Sequence, residues 1–279
     1  MRSKPDAIDL HWPGQIVRTW HLTSLDAPTV AVVWASAFAW AARVRLPLWL
    51  PAGLAFAAWS LYIGDRLLDA RNARTPLRER HHFHWKHRRI FFPAAIAAGA
   101  AALMLAMFSM PVDARGRNSL LAVAALAYFT RVHSPWRVPA PGIAFRVPKE
   151  LLVGILFTVA CLAPTWARVS GDRWDLLVPA LAFTALAWLN CHAIECWESQ
   201  VKRKVTIFRL AAGLAIVALL GATAVAYQFP RQASLLASAA VSAALLAFLD
   251  RQRHKLTPVT LRAAADLVLL APALLLFFQ

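Results

Sequence analysis

Hydrophobic and polar positions along this chain neither alternate with the period of two of a half-buried strand nor form a narrow helical stripe. They come in blocks. Apolar runs fall at residues 28–43, 46–64, 90–110, 118–133, 150–168, 175–194, 207–228, 232–249 and 261–278, and the segments between them hold most of the charge. Continuous Ala/Leu/Val runs predict helices that are apolar all round, the pattern of membrane spans; a transmembrane barrel would show short alternating strands. Several runs barely reach the roughly 20 residues needed to cross a bilayer. Pro47 and Pro51 lie in the first turns of the second run, where proline is tolerated. The stretch SPWRVPAPGIAFRVPK, residues 134–149, is rich in proline and reads as a loop or a short broken helix. The predicted fold is all-α, a polytopic membrane protein with nine transmembrane helices. Residues 1–27 form an interfacial lead-in with a short amphipathic piece, and residues 28–279 form one nine-helix domain.

Composition agrees with the pattern. Of 279 residues, 59% are hydrophobic and 16% charged, with a mean hydropathy of +0.52. The net charge is +16, which in a soluble protein would point to nucleic acid. Here its placement matters more. With the N-terminus inside, the inner segments hold 23 of the 30 Lys/Arg and the outer segments 7. That bias alternates loop by loop, as basic loops do when they set orientation, and it predicts an inside N-terminus, an outside C-terminus and no nucleic-acid partner. Cys161, Cys191 and Cys196 lie in or beside predicted spans, with no spacing that suggests zinc or a disulfide framework. Residues 1–27 lack the apolar core of a cleavable signal.

Candidate chemistry clusters at two span ends. After the second run, LYIGDRLLDARNARTPLRERHHFHWKHRR (61–89) carries Asp65 and Asp69, eight Lys/Arg and four His. A spacing of four puts both carboxylates on one helix face, one turn apart. Such a pair suits Mg²⁺, which takes one or two carboxylates together with phosphate oxygens and water. The bland alternative is that both pair with Arg66, Arg71 or Arg74 and merely cap the span. After the sixth run come Asn190, Cys191, His192, Glu195 and Glu198, followed by Lys202, Arg203 and Lys204. The two runs point the same way, so both acidic patches are expected at one side of the membrane, around one cavity. Asp266 is the remaining mid-span acid, and Arg262, four residues before it, is its expected partner. Of the tryptophans, Trp34, Trp40, Trp59 and Trp188 are internal and read as packing groups; most others sit near span ends, as an interfacial belt does.

These stretches resemble the UbiA superfamily of intramembrane aromatic prenyltransferases. DRLLDARNARTP (65–76) is similar to the second half of the family's NDxxDxxxD motif and the Arg/Thr-rich tail behind it. The segment Tyr128 to Lys149, with SPWR at 134–137, is similar to its tyrosine and Pro-Arg/Lys stretch. Glu195 and Glu198 stand where its second acidic motif is expected. The motif's first Asn and Asp fall on Leu61 and Tyr62, and Ser199 stands where the second motif usually has its last Asp. The resemblance implies an Mg²⁺-dependent prenyltransferase in a bacterial-type inner membrane, moving a prenyl group from a prenyl diphosphate to a small aromatic or lipid acceptor. It implies Asp65, Asp69, Glu195 and Glu198 as metal ligands, and Arg71, Arg137, Lys149 and Lys202 as diphosphate-binding cations. Asp65, Asp69 and Tyr128 are the implied catalytic residues, with Asn190 and His192 lining the cavity.

Three other readings stay open. His81, His82, His84 and His87 could be a di-iron box, but such sites need boxes on several helices, and the histidines at 11, 21, 133, 192 and 254 are isolated in the sequence. The plainer reading of the cluster is a polar interfacial loop whose His and Trp85 sit among headgroups. A transport or non-catalytic protein of the same helical class is the second reading, without an inverted repeat to support it. A CDP-alcohol phosphatidyltransferase is the third, and its Asp-Gly and Ala-Arg element is missing upstream of the Asp pair.

Overall fold

The computed structural model describes residues 12–73, 77–112, 148–198 and 206–277, with 115, 116, 119, 123, 124 and 127 between them. Every regular element among them is helical, and no strand occurs among the described residues. The order is α1 Trp12–Leu22, α2 Asp26–Ala41, α3 Trp49–Asn72, α4 Glu79–Lys86, α5 Arg88–Ser109, α6 Lys149–Trp166, α7 Leu177–Glu198, α8 Ile207–Val225, α9 Pro230–Gln252, α10 Pro258–Leu267 and α11 Ala273–Leu276.

Five helical stretches are long and apolar enough to cross a membrane: Arg88–Ser109, Lys149–Trp166, Trp174–Glu198, Ile207–Val225 and Pro230–Lys255. A sixth would be the bent pair Gly14–Leu22 and Asp26–Ala41, which turn by 93°. At 24 residues, α3 has the length, but Asp65, Arg66, Asp69 and Arg71 crowd its last two turns. The expected span at 118–133 lies outside the described residues apart from isolated positions.

The bundle is built around α2, which packs against α3, α6, α9, α10 and α11. Ala27, Ala31, Ala35 and Ala39 let neighbouring backbones come close, while Trp34 and Phe38 fill the centre. The Trp34 ring stacks on Phe183 of α7 with centroids 3.8 Å apart. Trp34 is therefore the packing group the sequence suggested, and its indole N–H does a second job. The last apolar run is not one helix: it breaks after Leu267 into a 3₁₀ turn, Val268–Leu270, before α11. Pro272 has no N–H for the Val268 carbonyl, four residues back. Two side chains answer the freed acceptors. Ser242 donates to the Val268 carbonyl at 2.7 Å, and Trp34 Nε1 to the Leu269 carbonyl at 2.9 Å. Without water, a break in a span survives only when its backbone groups are satisfied this way.

Close helix contacts rest on small residues. A Cβ built at Gly154 of α6 would lie 3.0 Å from the Trp188 nitrogen and 3.1 Å from the Thr184 oxygen of α7. Outward faces are apolar: Ile90, Phe92, Ile96, Leu103 and Phe108 on α5 are all exposed, as are Ile216, Val217 and Leu220 on α8. This arrangement is compatible with an integral membrane protein.

Candidate functional site

The carboxyl ends of α3 and α7, the start of α6 and the helix α4 meet at one end of the bundle. Asp65 and Asp69 lie in the last two turns of α3, half-buried and exposed respectively. Asp69 Oδ2 is 3.7 Å from His81 Nε2 on α4. Glu195 and Glu198 lie in the last turn of α7. Glu198 is held by two guanidinium groups, Arg78 before α4 and Arg262 of α10. Glu195 Oε2 is 4.0 Å from Lys149 Nζ, at the first residue of α6. Arg80 of α4 lies within electrostatic reach of both Asp65 and Glu198. The two acidic patches thus occupy the same end, linked through arginines. No three of Asp65, Asp69, Glu195 and Glu198 bring ligand atoms within 4.8 Å of one another.

Helix α4 is where the structure departs most from the sequence expectation. The His-rich stretch is not a loop among headgroups: His81 and His84 are buried, with only His82 exposed. His84 Nδ1 is 2.8 Å from the Arg80 carbonyl, which can only accept, so Nδ1 carries the proton. In the neutral ring Nε2 is then an acceptor, and Ser24 Oγ–H donates to it at 3.0 Å. Ser24 is the elbow between α1 and α2 and has a φ of 60°, a left-handed conformation that costs a serine free energy. The buried histidine helps hold that elbow. Burial lowers the His84 pKa to about 4, with Arg66 and Arg80 adding to the effect. Burial, with Arg80, Arg66 and Arg78 nearby, lowers that of His81 to about 3. Both rings are neutral at physiological pH. Burial also lowers Arg80 to about 10, still charged, and its Nη1 is buried without a hydrogen-bond partner among the described residues.

A second polar constellation lies inside the bundle, and sequence reasoning missed it. His21 of α1, Asp26 of α2 and Asp266 of α10 converge. His21 Nδ1 is 2.7 Å from Asp26 Oδ2 and 3.4 Å from Asp266 Oδ2. Arg66 of α3 reaches in, Nη1 donating to the His21 carbonyl at 3.0 Å and Nη2 lying 3.3 Å from Asp26 Oδ2. Asn190 of α7 donates to Asp266 Oδ1 at 3.1 Å. Three expectations change accordingly. Asp266 does not pair with Arg262, which is drawn instead to Glu198. Arg66, one of the arginines expected to pair with Asp65 or Asp69, reaches Asp26 of α2. His21, isolated in the sequence, stands between two carboxylates. One signal could have found Asp26: it borders an apolar run as Asp65 does, at the opening rather than the close.

The other expected residues are spread out. His192 stacks on Trp188 with centroids 5.5 Å apart, and its Nε2 is 3.6 Å from Cys196 Sγ. Arg71 is exposed in the last turn of α3. Tyr128, Arg137 and Lys202 lie outside the described residues. Comparison with known proteins found no family model, no curated protein and no solved structure that matches this chain.

Proposed function

We propose that the protein is a UbiA-like, Mg²⁺-dependent prenyltransferase that moves a prenyl group from a prenyl diphosphate to a small aromatic or lipid acceptor within the membrane. In this reading it is a nine-span protein of a bacterial inner membrane, its N-terminus cytoplasmic and its C-terminus outside. One observation carries the proposal: carboxylates from α3 and an arginine with an unused buried donor, Arg80, share one end of an apolar helical bundle. A diphosphate on a lipid tail needs that combination. Its head must meet cations and hydrogen-bond donors, and its tail must meet apolar walls.

The residues fit the metal unevenly. Asp65 and Asp69, one turn apart, can offer Mg²⁺ two carboxylates and leave room for phosphate oxygens and water. Glu198 is already matched by Arg78 and Arg262, and Glu195 faces Lys149. We assign these two a rim role, presenting cations toward the diphosphate, with direct ligation only if an arginine moves aside. Bound at Asp65 and Asp69, Mg²⁺ would offset the head-group charge and make diphosphate a better leaving group. Arg80, Arg71 and Lys149, together with Arg137 and Lys202, would neutralise the rest. The C–O bond to the prenyl carbon breaks with its electron pair leaving on diphosphate. The allylic cation that results is shielded from water by the apolar helices, and aromatic faces such as Trp188 and Tyr128 can stabilise it. The acceptor forms the new bond to carbon and gives up a proton. In this reading His192 lines the cavity where the acceptor would enter; Asn190, two residues earlier and so on another face of α7, is turned to Asp266.

The test uses membranes containing the full chain, given labelled farnesyl or geranylgeranyl diphosphate with and without Mg²⁺. Diphosphate release that requires Mg²⁺ and disappears in Asp65→Asn and Asp69→Asn supports the reading. No release from the unaltered protein at any Mg²⁺ concentration, or full turnover in either variant, refutes it.

A further inference from the structure

The polar hub of His21, Asp26 and Asp266 plays no part in the reaction proposed above. Two consecutive helices, α1 and α2, and the distant α10 supply it, and Arg66 and Asn190 close around it. His21 and Asp26 are 1% and 2% exposed. The 2.7 Å approach of Asp26 Oδ2 to His21 Nδ1 is short. Yet neither carboxylate oxygen lies along the direction of a ring N–H, and Nδ1 is a buried atom without a hydrogen-bond partner among the described residues. Asn190, 4% exposed, holds Asp266 through Nδ2 and keeps a buried Oδ1 that also lacks a partner there. Charge is unbalanced as well. Two carboxylates face one guanidinium, Arg66, so the hub calls for a further positive charge, from a cation or a proton.

We propose that His21 Nδ1, Asp26 Oδ2 and Asp266 Oδ2 ligate a divalent first-row metal ion of the zinc class, separate from the Mg²⁺ site at Asp65 and Asp69. The three ligand atoms lie within 4.8 Å of one another. With metal–ligand bonds of about 2.0–2.1 Å, the nitrogen–oxygen separations of 2.7 and 3.4 Å correspond to ligand–metal–ligand angles of roughly 80° and 110°. Both suit a four- or five-coordinate ion. An ion on the lone-pair axis of Nδ1 also accounts for an oxygen that is near the nitrogen but off that axis: the oxygen is placed to meet the ion. One imidazole with two carboxylates is a mixed N/O set, which favours Zn²⁺, Mn²⁺ or Fe²⁺ over Mg²⁺ or Ca²⁺. The ion supplies that positive charge and ties α1 and the start of α2 to α10. Asn190 holds the Asp266 carboxylate in orientation, as outer partners of metal ligands do.

The experiment needs no prenyl substrate. The full chain, purified in detergent and stripped with chelator, is titrated with Zn²⁺, and bound metal is measured by elemental analysis after gel filtration. The expected result is one Zn²⁺ per chain and a Tm that rises on loading and falls again on chelation. Asp266→Asn and His21→Gln should each weaken zinc binding at least tenfold, while Asp65→Asn/Asp69→Asn retains one equivalent. Should either hub variant fail to fold, Co²⁺ gives a readout on the unaltered protein: visible d–d bands at one equivalent, displaced by Zn²⁺. An unaltered protein that holds no stoichiometric metal and shows no Co²⁺ bands overturns the proposal; a proton on His21 would then balance the hub. So does zinc that survives both hub substitutions, or zinc lost only with Asp65 and Asp69.

Discussion

Replacing Arg66 by Met tests the interior polar hub without emptying the space it fills. Met keeps an unbranched apolar stem of similar length and removes only the guanidinium. Arg66 is 4% exposed. Among the described residues its loss leaves the His21 carbonyl with only the Ser24 N–H, at 3.1 Å, and leaves Asp26 without its arginine. Removing one partner of a buried ion pair costs about 3–5 kcal/mol, mostly from the charge left behind. The 3.3 Å separation is long for a charge-assisted contact, and His21 stays beside Asp26, so the expected loss is at the lower end, about 3 kcal/mol. A hydrogen bond alone between helices in a membrane averages about 0.6 kcal/mol, so the size of the effect separates the two causes. Reversible unfolding in mixed micelles, with chelator present, gives the free energies. The second arm is the double variant with Asp26→Asn, which removes the stranded charge. There Arg66→Met should cost less than in the native background by about 2 kcal/mol. An Arg66→Met protein within about 0.5 kcal/mol of the unaltered one, or strictly additive effects in the pair, would refute the argument that burial makes this contact a charge balance.

Trp34→Phe should keep the stack on Phe183 but strand the Leu269 carbonyl, lowering stability by about 1–3 kcal/mol in the same assay; an unchanged midpoint would mean the broken last helix needs no indole. Gly154→Val would push a side chain into the α7 backbone, where nothing flexible can give way, and should cost about 1–3 kcal/mol. The buried histidines make stability fall with acid. Folded His84 resists protonation down to about pH 4, whereas the unfolded residue takes up a proton below 6.5. The stability it contributes is therefore complete above pH 6.5 and lost as the pH drops toward 4. A melting curve followed across that window should show the decline, and His84→Gln should flatten it; an equally steep decline in the variant would count against a neutral His84 at the Ser24 elbow. Glu198→Gln should loosen Arg78 and Arg262 together, and accessibility of a spin label on α4 reports it; no change there would mean the glutamate does not tether that helix.

Much of the helix layout was legible because lipid-facing helices write it plainly. A chain that cannot hydrogen-bond to its surroundings must pair its backbone within each segment, so apolar runs and helices coincide. The runs expected at 90–110, 150–168, 175–194, 207–228 and 232–249 correspond to α5, α6, α7, α8 and α9 within a few residues. The run at 261–278 was legible as apolar but not as broken, because the break is tolerated only through Ser242 and Trp34, which lie in other helices.

Local spacing read the candidate site only halfway. It put Asp65 with Asp69 and Glu195 with Glu198, since residues three or four apart share a helix face. It paired Arg262 with Asp266 for the same reason, and wrongly, because a carboxylate with two arginines in reach, Glu198, competed for that guanidinium from another helix. His84 shows the same limit: four clustered histidines look solvated until α4 folds onto the α1–α2 elbow and buries two of them.

By itself the sequence determined the class of molecule: apolar helices joined by basic segments, with acidic groups at span ends. Hydropathy and helical periodicity act along the chain, so they can be read along it. Which charges meet was decided only by the tertiary structure. Residues 21, 26, 66, 190 and 266 share no periodicity and no motif. In a dry interior a charge must find its counterpart wherever packing brings one, and that distance in space leaves no trace in the order of residues.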